Sequence, residues 1–129
     1  MPARILIVED DQIIAADLRL KVERLGHEAV GIASGGEEAI GMAERFQPEL
    51  VLMDFQLETA MNGTEAARII QERTGASIVF VTAFSGQSCR DESARMSERG
   101  IYLGKPFSQI QLQEALDTAL RSRQQPGHS

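Results

Sequence analysis

The chain has 129 residues, enough for one domain whose core is stable without disulfides. Its single cysteine, Cys89, excludes an internal disulfide and a cysteine-based metal cage, and favours a reducing, cytoplasmic compartment. The net charge of -6 disfavours nucleic acid as the main partner, because no basic patch is present to displace counterions from phosphates.

Short apolar runs recur along the chain and mostly lack the polar alternation of a half-exposed strand. Such runs are typical of strands buried on both faces of a parallel sheet. They cover residues 5–8, 50–53, 78–81 and 101–103, with a weaker run at 27–33 that we expect near an edge. None approaches the length of a membrane span, so no membrane partner is predicted.

Helical stripes of apolar residues separate these runs. Their members are Ile14, Leu18, Val22 and Leu25, then Ala39, Ala43 and Phe46, then Ala66, Ile69 and Ile70, and finally Leu112, Leu116 and Leu120. Asp11 is predicted to cap the first stripe, and two capping boxes are predicted to begin later helices. The boxes pair Ser34 with Glu37 and Ser108 with Gln111. The polar segment 87–99 predicts only a short or mobile helix.

Because strand and helix patterns alternate five times, we expect an α/β domain, a doubly wound parallel sheet with helices on both faces. Ligands bind such sheets outside the carboxyl ends of the strands. The polar residues that follow the apolar runs are therefore candidates for a site at that edge. They are Glu9, Asp10, Asp54, Thr82 and Lys105.

Each candidate also has an ordinary structural explanation. Acids such as Glu9 and Asp10 are often solvated caps, threonine is a common strand residue, and a lysine beside a turn is usually a solvated amine. Asp54 is harder to explain in this way. It directly follows a fully apolar strand, where an unpaired carboxylate is costly to desolvate.

Taken together, the candidates indicate phosphoryl chemistry. Clustered carboxylates repel one another unless a hard cation joins them, and Mg²⁺ binds a few carboxylates in an octahedral shell. A lysine and a hydroxyl nearby would stabilise a transferring phosphoryl group while one carboxylate acts as nucleophile. Lys105 is one of only two lysines among the 13 basic residues, and its compact ammonium suits a phosphoryl oxygen.

Four motifs in this order resemble the signatures of the receiver domain of bacterial two-component response regulators. They are ILIVEDD, LVLMDFQL, IVFVTA and YLGKPF. The resemblance implies a flavodoxin-like fold of five βα units with strand order 2-1-3-4-5. It also implies that Asp54 accepts a phosphoryl group from a phosphohistidine on a histidine kinase or a histidine phosphotransfer protein.

The resemblance implies a metal site around the acceptor. Glu9 and Asp10 would hold Mg²⁺ together with Asp54 and the backbone carbonyl of Gln56. Lys105 would pair with the acceptor carboxylate and then with its phosphate.

Three further residues would couple phosphorylation to partner binding. The hydroxyl of Thr82 and the backbone amide of Ala83 would bind the phosphate, and the ring of Tyr102 would then rotate inward. The readout would be the face of the fourth predicted helix, fifth strand and fifth predicted helix, where an effector or a second copy would bind. We expect residues 1–122 to form a stand-alone receiver domain and residues 123–129 a disordered tail.

The segment after Asp54 departs from the family pattern. Receiver domains usually carry a proline four residues after the acceptor and a glycine eight residues after it. This chain has Glu58 and Asn62 at those positions, and its glycine is Gly63. We therefore expect a loop that is one residue longer, with the chemistry unchanged.

Two other functions stay open at this point. An interaction module that works without phosphorylation could keep the fold and lose the chemistry, although the complete set of acids, threonine and lysine argues against it. A Mg²⁺-dependent aspartyl phosphohydrolase usually needs a second acid two residues after its nucleophile, where this chain has Gln56. We therefore predict a phosphoacceptor signalling domain that catalyses only its own phosphorylation and dephosphorylation.

Overall fold

The computed structural model describes residues 2–54, 61–82, 101–104 and 108–123. The strands in these ranges are β1 (Arg4–Val8), β2 (Glu28–Ala33), β3 (Leu50–Asp54), β4 (Ser77–Thr82) and β5 (Ile101–Gly104). The helices are α1 (Gln12–Arg24), α2 (Gly36–Phe46), α3 (Gly63–Thr74) and α4 (Gln109–Arg123). The helix predicted at 87–99 and the chain beyond residue 123 lie outside the described residues.

All five strands are parallel, in the order β2-β1-β3-β4-β5. This order confirms the predicted fold class and places the weak second run at an edge of the sheet. The pairing of β2 with β1 contains one irregularity, because Ile5 pairs with Ala29 and Leu6 with Gly31, which leaves Val30 bulged. Edge strands commonly carry such bulges, which increase the local twist.

The core has two layers, one on each face of the sheet. Alternate strand residues explain this division, because successive side chains point to opposite faces. Leu6, Val51 and Met53 pack with α2 and α3, whereas Ile7, Leu50 and Leu52 pack with α1 and α4. Both faces are therefore buried, which is why the strand runs lack polar alternation. Across the described ranges, no helix is long and apolar enough to span a membrane.

Side-chain caps mark the starts of α1 and α4, as predicted. The carboxylate of Asp11 accepts hydrogen bonds from the backbone N–H groups of Ile13 (2.9 Å) and Ile14 (3.2 Å). In the box at α4, Ser108 Oγ accepts from the N–H of Gln111 (3.1 Å), and Gln111 Oε1 accepts from the N–H of Ser108 (2.9 Å). These bonds satisfy amides that have no partner inside the helix.

The capping box predicted for Ser34 and Glu37 is wrong. Helix α2 begins two residues after Ser34, with Gly35 as its N-cap, so the serine lies one position too early to cap the first turn. Instead, the backbone N–H and the hydroxyl of Ser34 both donate to Glu38 Oε1, at 2.8 and 3.0 Å. The pair still fixes the turn that connects β2 to α2.

Candidate functional site

Asp54 is the last residue of β3, a strand whose five residues are all buried. It pairs with Val81 in the ladder between β3 and β4, and it is 6 % exposed. In the part of the chain that the structure describes, only Glu9 and Asp54 are charged and buried. A buried carboxylate at a strand end costs desolvation energy, which indicates a role other than solubility.

Glu9 follows the last residue of the neighbouring strand β1. Its backbone N–H donates to the carbonyl of Ala33 at 2.9 Å, which ties the loop after β1 to the end of β2. Its carboxylate accepts from the N–H of Asp11 at 3.2 Å. Hydrogen bonds to backbone groups thus orient both the main chain and the carboxylate of Glu9. The turn that begins at Ser34 supports this arrangement.

The carboxylates of Glu9, Asp10 and Asp54 converge at this edge of the sheet, because Val8 pairs with Met53 and the following residues lie side by side. One oxygen from each lies within 4.8 Å of the others. Ligands on opposite sides of Mg²⁺ are about 4 Å apart, since Mg–O distances are about 2.0–2.1 Å. The three oxygens therefore fit a small divalent cation after a modest adjustment.

Electrostatic repulsion among the three carboxylates also favours the binding of a cation. Two unit charges 4.8 Å apart repel by about 3.5 kcal/mol at an effective dielectric constant of about 20. Folding brings three carboxylates to this separation or closer, while the unfolded chain keeps them apart. A divalent cation between them would attract all three carboxylates and so offset their mutual repulsion.

This combination of fold and acidic edge agrees with the comparison to known proteins. The sequence profile of the response regulator receiver domain matches residues 5–117. The chain belongs to this family. Its receiver fold is the one implied by the four sequence motifs.

Individual relatives give the same assignment for this receiver domain. The transcriptional regulatory protein PdtaR of Mycobacterium tuberculosis is 40 % identical over 120 residues, which cover 93 % of this chain and 58 % of PdtaR. The phyllosphere-induced regulator PhyR of Methylorubrum extorquens is 32 % identical over 121 residues, which cover 93 % of this chain and 44 % of PhyR. The receiver domain thus spans about half the length of these two relatives.

A solved structure has the same fold as this receiver domain. The signal receiver domain of a modulated diguanylate cyclase from Desulfovibrio desulfuricans aligns with a TM-score of 0.83 and 30 % identity. The alignment covers 95 % of this chain and 97 % of that one.

The other site residues predicted for the receiver domain lie in or directly after β4 and β5, or after the acceptor strand. Thr82 is the last residue of β4 and pairs with Gly104 of β5, which directly precedes Lys105 in the sequence. The sheet thus brings the ends of these strands to the edge that carries Asp54. The side chains of Thr82 and Tyr102, and the whole of residues 56, 83 and 105, lie outside the described part of the structure.

Helix α3 starts with a capping box that the sequence interpretation missed. Asn62 Oδ1 accepts from the N–H of Glu65 at 2.8 Å, and Glu65 Oε1 accepts from the N–H of Asn62 at 3.3 Å. The spacing Asn-x-x-Glu was a readable signal. The first residue of this helix, Gly63, is buried and lies against the backbone of Asp54.

The Glu38 carboxyl, in the first turn of α2, has a pKa that departs from its ordinary value. Hydrogen bonds from the backbone N–H of Ser34, and then from its hydroxyl, lower the pKa of the Glu38 carboxyl below its ordinary value. The two bonds favour the ionised carboxylate. Ala33 directly precedes Ser34, and its carbonyl accepts a hydrogen bond from the backbone N–H of Glu9. The Ser34–Glu38 pair therefore stabilises a turn next to the acidic cluster.

Proposed function

We propose that this receiver domain accepts a phosphoryl group on Asp54 from a phosphohistidine of a histidine kinase or a histidine phosphotransfer protein, in a Mg²⁺-dependent reaction. The observation that carries the proposal is the convergence of Glu9, Asp10 and the buried Asp54 within 4.8 Å. Membership of the receiver family supports the same chemistry.

In this reaction a carboxylate oxygen of Asp54 attacks phosphorus, the P–N bond to the donor imidazole breaks, and an acyl phosphate forms. The protein would hold Mg²⁺ with Glu9, Asp10, Asp54 and the carbonyl of Gln56. When bound, the ion would neutralise charge on the phosphoryl oxygens. Burial of Asp54 limits access of water to the acceptor, which slows hydrolysis of the product.

The remaining roles in the proposal come from the resemblance. Lys105 would pair with the phosphate, and Thr82 and the amide of Ala83 would bind its other oxygens. Tyr102 would move inward and change the face that includes β5 and the last helix, so that an effector protein or a second copy binds. The domain would comprise residues 1–122 of a cytoplasmic phosphorelay protein with no nucleic-acid partner, in agreement with the charge of -6 on the full chain.

Two exposed isoleucines support a protein as phosphodonor. Ile13 in the first turn of α1 is 82 % exposed, and Ile110 in the first turn of α4 is 68 % exposed. Both helices pack on the same face of the sheet and begin at its acidic edge. Ile13 is also close to the cluster in the chain, since its N–H donates to Asp11 and the N–H of Asp11 donates to Glu9. A donor that reaches Asp54 from this side would bury these side chains.

Intact mass spectrometry tests the proposal against its two alternatives. With Mg²⁺ and acetyl phosphate, the chain should gain one phosphoryl group, and the gain should be absent in Asp54→Ala and in EDTA. A chain that never gains mass would be an interaction module that works without phosphorylation. Steady release of phosphate from many phosphate esters, without a lasting adduct, would indicate a phosphohydrolase instead.

A further inference from the structure

Helix α3 approaches the acceptor strand more closely than a side chain would allow. A Cβ atom added to Gly63 would lie 2.3 Å from the backbone oxygen of Asp54 and 3.3 Å from Met53 Cγ. A carbon and a carbonyl oxygen in contact are normally at least about 3.3 Å apart. Any side chain at residue 63 would therefore push the helix and the strand end apart by roughly 1 Å.

Space, rather than backbone conformation, requires glycine at this position. The φ angle of Gly63 lies outside the left-handed region, so other residues could adopt its backbone conformation. Gly75 at the other end of α3 shows the opposite case, with a φ of 75° and no atom within 4 Å of an added Cβ. The close approach is thus specific to the end of α3 that contacts the acceptor.

We propose that Gly63 is a positioning residue for Asp54. By allowing α3 to contact the Asp54 carbonyl, it sets the position of the acceptor carboxylate relative to Glu9 and Asp10. This inference rests on the proposed phosphoacceptor function and deepens it. It also gives a reason for the glycine at this position, because the helix must begin with a residue that fits against the strand end.

Both sides of the contact resist a displacement, and the end of β3 resists it less than the start of α3. The start of α3 is fixed by the Asn62–Glu65 capping box and by Ala66, which is fully buried. Asp54 is the last residue of the ladder to β4, and Met53 is the last residue of β3 that pairs with β1. A displacement would therefore be shared, and the end of β3 is the part of that strand that can move.

Movement of the strand end would separate the acidic groups, because Glu9 is held independently through the carbonyl of Ala33. Mg²⁺ tolerates little deviation from octahedral geometry. A misplacement of about 1 Å in a reacting group lowers a rate by about 100-fold. We expect Gly63→Ala to slow phosphorylation by acetyl phosphate between tenfold and 100-fold and to raise the Kd for Mg²⁺ at least tenfold, on the order implied by that displacement.

Two other glycines provide matched controls. Gly36 is the first residue of α2, as Gly63 is of α3, and the atoms nearest its added Cβ all belong to Met61, at 3.1 Å. Gly36→Ala should lower stability but leave the Mg²⁺ Kd and the phosphorylation rate near those of the wild type. Gly41 lies inside α2 with no atom within 4 Å, so Gly41→Ala should fold and react normally.

The experiment measures three quantities on the full chain, well below its unfolding temperature. Intact mass spectrometry gives the initial phosphorylation rate against acetyl phosphate concentration, calorimetric titration gives the Mg²⁺ Kd, and thermal unfolding gives stability. A positioning role predicts that Gly63→Ala changes all three, whereas Gly36→Ala changes stability alone. If Gly63→Ala matches Gly36→Ala while the wild type reacts normally, the inference fails and the proposed function stands. If the wild type neither binds Mg²⁺ nor gains a phosphoryl group, both fail.

A measurement on the wild type covers the case in which Gly63→Ala does not fold. Mg²⁺ is titrated into ¹⁵N-labelled protein, and the amide resonances of Gly63, Gly36 and Gly41 are followed by NMR. Contact with the acceptor predicts that the Gly63 amide shifts most and saturates with the calorimetric Kd. A Gly63 amide that shifts no more than that of Gly41 would overturn the inference.

Discussion

Mg²⁺ should stabilise the folded receiver domain through Glu9, Asp10 and Asp54. Their carboxylates meet within 4.8 Å only in the folded chain, so the ion should bind the folded state and not the unfolded one. At 100 times its Kd, such a ligand adds about 2.7 kcal/mol to the free energy of unfolding. For 129 residues the entropy of unfolding is about 0.27 kcal/mol/K, so the unfolding temperature should rise by roughly 10 °C.

Differential scanning calorimetry in Mg²⁺ and in EDTA measures this shift. Asp10→Asn and Asp54→Asn each remove one ligand charge, so each should lose most of the Mg²⁺-dependent rise. Asp117→Asn is the control, because it changes the net charge equally at an exposed position of α4 and should keep the full rise. If the two cluster variants keep the full rise as well, the cation binds elsewhere and the assignment of these carboxylates is wrong.

Three further predictions concern the donor, the pH dependence and the switch. Ile13→Asp should slow phosphotransfer from a phosphorylated histidine kinase roughly tenfold and leave the acetyl phosphate rate unchanged, whereas equal loss in both assays would contradict a docking role. The pKa of Glu38 in the folded chain lies below the ordinary value of 4.5. Its hydrogen bonds with Ser34 should therefore raise the free energy of unfolding above pH 4.5, and this contribution should be lost as the pH falls through the folded pKa. Unfolding curves of wild type and Ser34→Ala should therefore converge at acidic pH; a constant difference would count against this pair. Lys105→Ala should leave Asp54 able to gain a phosphoryl group more slowly, but partner binding should no longer respond; normal switching would refute that role.

Most of the fold was predictable because its local signals agree. The apolar runs correspond to the strands within one residue at each end. Strands that are buried on both faces are continuously apolar, so their ends are marked by the first polar residues. Asp11 and Ser108 were identified as caps because their side chains bond to nearby backbone groups in the same turn. The cap predicted at Ser34 is wrong because helix α2 begins one residue later than that prediction requires. The Ser34 hydroxyl therefore donates to Glu38 instead of capping the first turn.

The site was predictable only in part, because some of its features depend on distances between elements that are far apart in sequence. The convergence of Glu9 and Asp54 follows from strand order and register, which the alternating pattern and the family resemblance imply. The contact between Gly63 and Asp54 does not follow from either, because it depends on how closely one helix approaches one strand. A glycine in the sequence does not show whether it supplies a positive φ or space.

The residues that hold the acceptor site differ from the residues that we expect to contact the phosphodonor. Glu9 and Asp54 are held by buried backbone, whereas Ile13 and Ile110 project from first turns and contribute little to the core. Substitutions in the exposed first turns can therefore change which donor is recognised without moving the carboxylates. Substitutions at Gly63 should do the reverse and reduce the reaction with every donor by the same factor. A variant at Ile13 that lowered Mg²⁺ affinity, or a variant at Gly63 that altered donor preference, would show that the two functions are coupled through the sheet edge.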